Sequence, residues 1–203
     1  MTIPTAQEEL ILLKKYRFVA GVDEAGRGPL AGPVVAAAVI LDLEALAENA
    51  IFKTINDSKK LNERNRDELA PLIKSNAISW GVGLSTPREI DEMNIHHASL
   101  LAMRRATEAC SLPPEALLVD GRFTIPDLAL HQKSIISGDS LSVSIAAASI
   151  VAKVTRDGIM KKYHKTYPQY GFGQHKGYPT ASHRAAITAF GLSPIHRASF
   201  CKS

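Results

Sequence analysis

Residues 18–29 read FVAGVDEAGRGP, and this stretch joins a predicted strand to two neighbouring acidic residues. The apolar run 18–22 is too short for a buried helix and is bounded by turn-forming residues, so it favours a core strand. Asp23 and Glu24 stand at its end. Because side chains alternate faces along a strand, we expect the Gly-rich turn that follows to let both carboxylates converge. A divalent cation is the simplest compensation for such buried negative charges.

The segments around this stretch predict an α/β sandwich with a mixed sheet. Residues 33–41 read PVVAAAVIL, and such unbroken apolarity is typical of a strand covered on both faces. We expect an antiparallel start, with the first strand spanning about residues 16–23, and a later parallel strand. Pro71 is expected to kink or shorten the helix that contains it. Further strands are predicted at 78–85, 116–120 and 133–136, helices at 5–15, from Asn62 onward, at 90–110, at 141–165 and at 182–190, and a Gly-rich loop at 171–180.

The chain has 203 residues and is 45% hydrophobic, which suffices for one substantial core, and no linker-like stretch divides it. We therefore predict a single domain over residues 1–203. The longest uncharged apolar run, 33–41, is far shorter than a bilayer span, and the N-terminus lacks a secretion-signal pattern. These features favour a soluble, cytoplasmic protein. Cys110 and Cys201 are expected to be ordinary thiols of a reducing compartment.

Charge is divided unevenly along the chain. Residues 1–157 contain 17 Lys and Arg against all 20 acidic residues, whereas residues 158–203 contain seven basic residues and no acid. The second segment also holds four of the five tyrosines and four histidines. Basic residues mixed with aromatic ones suit a phosphate backbone with bases or sugars to stack on. The alternative is a solvated basic surface with partly buried rings.

Two further acidic residues extend the predicted metal site. Asp120 ends the predicted strand 116–120 and is followed by glycine, which repeats the arrangement at Asp23 and Glu24. Asp139 precedes a predicted helix, whose positive end favours its charge. Four carboxylates at one sheet edge would hold two Mg²⁺ or Mn²⁺ ions, about 3.5–4 Å apart, for attack on phosphorus. A single acid at the end of a strand is also a common turn former or cap.

Asp157 is the alternative to Asp139 as the fourth acid. It lies four residues from both Lys153 and Lys161, which is the spacing of a salt-bridged, solvated helix face, and Asp139 is therefore preferred. The glycines around Arg27 do not form a dinucleotide fingerprint, and the sequence contains no phosphate-binding Gly-Lys-Ser/Thr loop. The seven histidines have no zinc spacing.

Six segments, taken in order, resemble the bacterial ribonuclease HII family, the type 2 ribonucleases H. They are residues 21–29, 57–61, 118–121, 138–139, 145–153 and 177–200. The resemblance spans nearly the whole chain and implies a ribonuclease H-like fold, with a mixed sheet flanked by helices and a small helical C-terminal extension. It also implies endonucleolytic hydrolysis of the RNA strand in RNA/DNA hybrids and cleavage 5′ to single ribonucleotides in duplex DNA. The products would carry 3′-hydroxyl and 5′-phosphate ends.

The resemblance also implies roles for individual residues. The metal-binding catalytic carboxylates would be Asp23, Glu24, Asp120 and Asp139. The ribose-sensing motif would be Gly26-Arg27-Gly28, which surrounds the 2′-hydroxyl and the adjacent phosphate, and Tyr178 would contact that hydroxyl and stack on the next sugar. A small polar clamp agrees with the physics, because only this hydroxyl separates RNA from DNA at a given position. Lys59 and Lys60 are expected to meet phosphates, although a solvated loop fits either one nearly as well.

Two other functions are compatible with the sequence: a nucleic-acid-binding module without catalysis, and a DNA-directed nuclease or strand-transfer enzyme of the same fold. Fold alone does not choose among them, whereas the ribose-sensing motif favours the ribonuclease. The expected partners are RNA/DNA hybrids and ribonucleotide-containing duplex DNA, with no membrane. The chain is expected to be a monomer. Because it stops at Ser203 without an evident peptide for docking a sliding clamp, it is expected to act autonomously.

Overall fold

A computed structural model describes residues 4–43, 55 and 62–201, and its centre is a five-stranded sheet. The strands are β1 (Val19–Ala25), β2 (Val34–Leu41), β3 (Ala77–Ser85), β4 (Ala116–Asp120) and β5 (His131–Ile135). Their order across the sheet is β3-β2-β1-β4-β5. The first three strands pair antiparallel, whereas β4 runs parallel to β1 and β5 parallel to β4. This confirms the predicted mixed sheet.

Helices cover both faces of the sheet, which confirms the predicted α/β class. They are α1 (Gln7–Leu13), α2 (Glu63–Asn76), α3 (Pro87–Glu108), α4 (Val143–Thr166), α5 (Phe172–His175) and α6 (Ala181–Phe190). Short 3₁₀ turns occur at Gly138–Ser140, Pro168–Tyr170 and Ala198–Phe200. One face of the sheet packs against α3, and the other packs against α2 and α4. None of the helices in the described residues has the length and apolarity needed to cross a bilayer.

β2 separates the two cores and is buried along all eight of its residues, as its apolar sequence predicts. Its side chains enter the two cores alternately. Ala36 and Ala38 belong to the cluster with α3, whereas Ala37 and Val39 belong to the cluster with α2 and α4. β1 lies between β2 and β4 and is buried as far as Asp23. The acidic end of β1 is therefore held by its ladder with β2, and the ladder with β4 ends at Val22, one residue before Asp23.

α4 approaches β1 very closely because both surfaces carry small groups. A Cβ added at Gly21 would lie 2.1 Å from the carbonyl carbon of Ser144, so the contact requires a glycine in the strand. Residues 144–152 of the helix, mostly Ala and Ser, are buried. This close approach brings Ser149 within hydrogen-bonding distance of Asp23 near the end of β1.

Two elements differ from their predicted form. β1 begins at Val19, later than the predicted residue 16, and continues past residue 23, because its ladder with β2 extends to the pair of Ala25 and Val35. The helix predicted at 90–110 begins earlier, at Pro87, and is interrupted at Asn94, which has φ 69°. The Asn94 side chain accepts a hydrogen bond from the amide of His96 at 2.9 Å. The interruption is therefore a new helix start that Asn94 caps.

Two further segments qualify the predicted pattern. Pro71 lies inside α2, which continues to Asn76, although proline removes one hydrogen bond of the helix ladder. The predicted Gly-rich loop at 171–180 contains the single turn of α5. Its glycines Gly171 and Gly177 have positive φ.

Candidate active site

The parallel pairing of β1 with β4 brings acidic residues together at the C-terminal ends of both strands. The last paired residues are Val22 and Val119, and the next residues along the two strands are Asp23 and Asp120. Neighbouring strands lie about 4.8 Å apart, so the two carboxylates are close at the sheet edge. Glu24 completes the group, in which one carboxylate oxygen of each residue lies within 4.8 Å of the other two.

In the three-acid cluster Asp23 is buried and Glu24 and Asp120 are partly buried, and the members repel one another. Asp23 is 4% exposed. Burial raises the pKa of Asp23 well above its usual value and the charges of Glu24 and Asp120 raise it further, whereas hydrogen bonds from Ser149 and the Glu24 amide lower it. The Glu24 amide donates to Asp23 Oδ1 at 2.7 Å. Such an all-oxygen, mutually repelling donor set fits a hard divalent cation such as Mg²⁺ or Mn²⁺.

Arg27 pairs with one member of this cluster. Its Nη1 lies 3.0 Å from Glu24 Oε1, and its side chain is 53% exposed, whereas that of Glu24 is 8% exposed. Burial raises the pKa of Glu24, while the hydrogen bond and charge of Arg27 lower it. Arg27 therefore stands at the mouth of the site, where an exposed guanidinium can exchange a carboxylate for a phosphate.

Asp139 lies next to the cluster and outside it. It is fully buried in the 3₁₀ turn Gly138–Ser140. The amide of Gly138 donates to Asp120 Oδ1 at 2.7 Å, so this turn helps to fix Asp120. Among the described residues, the close group of carboxylate oxygens consists of the three acids and does not include Asp139. The role of Asp139 as a fourth ligand remains a prediction.

Asp157, the alternative to Asp139, forms the ion pair with Lys153 that its spacing predicts, at 2.8 Å. It is 4% exposed, so the prediction of a solvated helix face is wrong at this position. Lys161 contacts Glu63 and Asp67 of α2 instead, at 3.0 and 3.5 Å. Lys161 meets these two acids because α2 packs against α4. The spacing of residues within one helix does not reveal such a contact.

The predicted ribose-sensing turn and Tyr178 border a cleft on one side of Glu24. Gly26 has φ +99°, which glycine adopts at little cost. A Cβ added at Gly28 would lie 3.9 Å from the Tyr178 ring, so the turn and the ring are neighbours. The cleft has a volume of about 330 Å³ and is lined by Glu24, Ala25, Gly26, Arg66, Ser149, Lys153 and Tyr178.

Sequence reasoning does not single out three polar residues of this cleft. Lys153 Nζ lies 5.6 Å from the centroid of the Tyr178 ring, and Ser149 hydrogen-bonds Asp23. The available signal is the spacing of Ser149 and Lys153, which puts both on one face of α4. No comparable signal exists for Arg66, because α2 reaches the cleft only through tertiary packing.

A smaller hollow of about 30 Å³ lies on the other side of Glu24. The residues around it include Arg27, His96, Asp120 and Arg122. Phe123 also lines the hollow; its ring is 58% exposed and meets the His96 ring edge-on, with 4.7 Å between centroids. Basic and aromatic side chains therefore flank the three-acid cluster on both sides.

The basic C-terminal segment builds a small core as well as a surface. Tyr170 and Phe172 are buried there with Met160 and Ile195, and their rings stack at 5.3 Å. The alternative of buried rings thus applies to this group, whereas Tyr178 is 39% exposed. The predictions for Lys59 and Lys60 lie outside the described residues.

Comparison with known proteins adds a family to this geometry. Residues 20–203 match the family described as Ribonuclease HII. Ribonuclease HII of Geobacter sulfurreducens is 55% identical over 185 residues, which cover 91% of this chain and 82% of that protein. Ribonuclease HII of Clostridioides difficile is 50% identical over 190 residues, which cover 94% of this chain and 72% of that protein. The crystal structure of ribonuclease H2 from Pyrococcus horikoshii OT3 superposes with a TM-score of 0.74 at 27% identity, covering 90% of this chain and 93% of that one.

Proposed function

This chain belongs to the ribonuclease HII family, and on that premise we propose that it hydrolyses the RNA strand of RNA/DNA hybrids and cuts 5′ to single ribonucleotides in duplex DNA. The products would carry 3′-hydroxyl and 5′-phosphate ends. The family has ribonuclease H activity and depends on divalent metals. The observation that carries the proposal is the cluster of three carboxylates beside an open cleft with basic and aromatic walls.

The proposed metal ligands are Asp23, Glu24 and Asp120, with Asp139 contributing from the adjacent turn. Their oxygens fit the preference of Mg²⁺ and Mn²⁺, and cations would relieve the repulsion that raises the pKa of Asp23. Two bound ions would supply an activated water and charge stabilisation for the departing oxygen in an in-line attack on phosphorus. The protein contributes fixed positions, because the carboxylates are held by the sheet and by the Gly138 amide.

The side chains around the cluster would hold the nucleic acid backbone. Lys153 and Arg66 line the cleft beside Tyr178, and their charges suit phosphates on that side of the scissile bond. Arg27, now paired with Glu24 at 3.0 Å, would move to the substrate phosphate as it enters. The exposed Tyr178 ring offers a stacking surface for a sugar or base.

Selection of the ribonucleotide is proposed to lie in residues 26–28 together with Tyr178. The two glycines let the backbone approach the sugar closely, so that peptide groups and the tyrosine hydroxyl can bond the 2′-hydroxyl. A deoxyribonucleotide would leave these groups unpaired, which is why such a site discriminates strongly. We further propose that the enzyme acts in the cytoplasm as a monomer.

The test is a cleavage assay on three end-labelled duplexes that contain one ribonucleotide, four ribonucleotides or DNA alone. Each is incubated with Mg²⁺, with Mn²⁺ and with EDTA. We expect metal-dependent cleavage of the first two and none of the third, with a single cut 5′ to the lone ribonucleotide. Ligation of the labelled products and phosphatase sensitivity identify their ends.

The same assay separates the alternatives. A binding module would shift the duplexes in a gel and cut none of them with either metal. A DNA-directed nuclease would cut the all-DNA duplex. Either outcome would overturn the proposed activity.

A further inference from the structure

Beneath the ribose-sensing turn lies a buried cation, Arg197, which is fully buried. Its three guanidinium nitrogens donate to three backbone carbonyls: Nη2 to Gly26 at 2.6 Å, Nη1 to Arg27 at 2.9 Å and Nε to Gly32 at 2.9 Å. Burial lowers the pKa of Arg197 to about 9, so the group is still charged at neutral pH. Two of its three acceptors are consecutive peptide groups of the turn.

The position of Arg197 is itself fixed by the backbone. Its amide donates to the carbonyl of Leu30 at 2.8 Å, and the amide of Gly32 donates to the carbonyl of Ile195 at 2.8 Å. The segment around Arg197 thus forms a short bridge with the chain that follows the turn, where Ala31 and His196 are paired. The guanidinium of Arg197 therefore reaches the turn from a backbone segment that hydrogen bonds hold in place.

The direction of these hydrogen bonds matters for the substrate side. In a planar trans peptide the carbonyl and the N–H point in opposite directions. Because the carbonyls of Gly26 and Arg27 point inward to Arg197, the amides of Arg27 and Gly28 point away from it. Glycine brings no side chain of its own to hold this orientation. The buried Arg156 side chain packs against Gly26, and the Arg197 fork bonds the two carbonyls and so restrains their direction.

We propose that Arg197 is a positioning residue for ribose recognition, which aims the amides of Arg27 and Gly28 at the substrate sugar and the adjacent phosphate. The inference rests on the proposed function. Arg197 does not touch the substrate and acts through the turn. Lysine cannot replace it, because the three carbonyls are bonded by three separate nitrogens of one rigid guanidinium fork.

The test compares the parent enzyme with Arg197→Lys, which keeps the buried charge. The dissociation constants for a one-ribonucleotide duplex and an all-DNA duplex are measured in the Asp120→Asn background, and kcat and KM in the active one. We expect the binding preference for the ribonucleotide to fall about tenfold or more in Arg197→Lys, with a similar loss in kcat/KM. A role in stability alone would leave the binding preference unchanged.

Ile195→Ala is the matched control. Ile195 lies two residues before Arg197 and is buried in the small core of the C-terminal segment, and its side chain makes none of the turn's hydrogen bonds. Its truncation should cost about 2–4 kcal/mol of stability and preserve the ribonucleotide preference at a temperature where both variants are folded by circular dichroism. An equal loss of preference in Ile195→Ala would overturn the inference, because general loosening would then explain it.

The remaining outcomes are also decisive. If the parent cuts and Arg197→Lys retains its preference, the positioning role is wrong and the proposed function stands. If the parent cuts nothing, the proposed function fails. If Arg197→Lys does not fold, Arg197→Gln takes its place, and failure of both to fold would reduce Arg197 to a structural residue.

Discussion

Among single side chains, Asp120 separates catalysis from folding most clearly. We expect Asp120→Asn to reduce kcat by about 10³-fold or more, because a proposed metal ligand is lost. The amide oxygen can still accept the Gly138 N–H that now bonds Oδ1 at 2.7 Å, and removal of one repelling charge should leave the apo protein at least as stable. Thermal melts with and without Mg²⁺ check this. The metal-induced rise in Tm of the parent should shrink in the variant.

The control for this substitution is Asp127→Asn. Asp127 has a positive φ, which asparagine tolerates, and its side chain is 78% exposed. Its turnover and its response to Mg²⁺ should match the parent. Near-normal turnover in Asp120→Asn would instead remove Asp120 from the metal site.

Tyr178 tests recognition at the same scale. We expect Tyr178→Phe to lose about tenfold in kcat/KM on a one-ribonucleotide duplex, because the hydroxyl contact disappears while the ring remains. Tyr178→Ala should lose about 10–100-fold more than Tyr178→Phe, since stacking is lost as well. Steady-state kinetics on the one-ribonucleotide duplex measure both. Equal losses in the two variants would assign the whole effect to the hydroxyl and contradict a stacking role.

Among the secondary-structure elements, the contact of α4 with β1 determines where the site forms. Gly21→Ala would place a methyl group 2.1 Å from the Ser144 backbone, so we expect a loss of about 3 kcal/mol or more in the free energy of unfolding. The matched control is Gly158→Ala in α4, because a Cβ added at Gly158 meets nothing within 4 Å. It should stabilise the protein by about 0.5–1 kcal/mol. Urea titrations compare the two, and a Gly21→Ala protein as stable as the parent would contradict the close packing.

At the scale of the whole molecule, pH acts on two buried histidines, His183 and His196, which hydrogen-bond each other in the C-terminal segment. The Ser193 amide donates to His196 Nδ1 at 2.8 Å, which leaves the proton of His196 on Nε2. That proton faces His183 Nε2 at 3.0 Å, and His183 Nδ1 faces the Tyr178 carbonyl at 2.9 Å. Burial lowers the pKa of His196 to about 4. This chain of hydrogen bonds requires neutral imidazoles.

Acid should therefore weaken the fold through His196. Its folded pKa of about 4 lies below the ordinary 6.5, so the unfolded chain binds more protons between these values. The stabilisation is complete above pH 6.5 and is lost as the pH falls toward 4. Between pH 7 and pH 5, the loss in the free energy of unfolding through His196 is about 2 kcal/mol, which lowers Tm by roughly 4–8 °C.

The measurement compares the Tm of the parent with that of His196→Gln across this interval, so that contributions from the acidic cluster affect both proteins alike. His196→Gln should have a lower Tm than the parent at pH 7. At pH 5 the difference in Tm between the two proteins should be smaller by roughly 4–8 °C. A difference that stays constant with pH would contradict the buried neutral histidine.

Much of the architecture could be predicted because its causes are local. The apolar run of β2 and the small residues of α4 determine their own burial. Asp23 and Asp120 could be placed together because each ends an apolar strand. Local patterns were insufficient for the burial of Asp157 and for Arg66 in the cleft, since both depend on packing between elements. The interruption at Asn94 is a local cap to the His96 amide, and the apolar spacing along 90–110 does not mark it.

The sequence by itself determined the strands, their acidic ends and the membership in a ribonuclease family, because hydrophobic periodicity and residue chemistry are written along the chain. Only the tertiary structure decided which carboxylates meet, which arginine bonds the carbonyls of the turn at residues 26–28 and which aromatic rings face solvent. The physical reason is that these are properties of strand register and helix packing. Both join residues far apart in the chain, as Gly26 and Arg197 are joined by a 2.6 Å hydrogen bond.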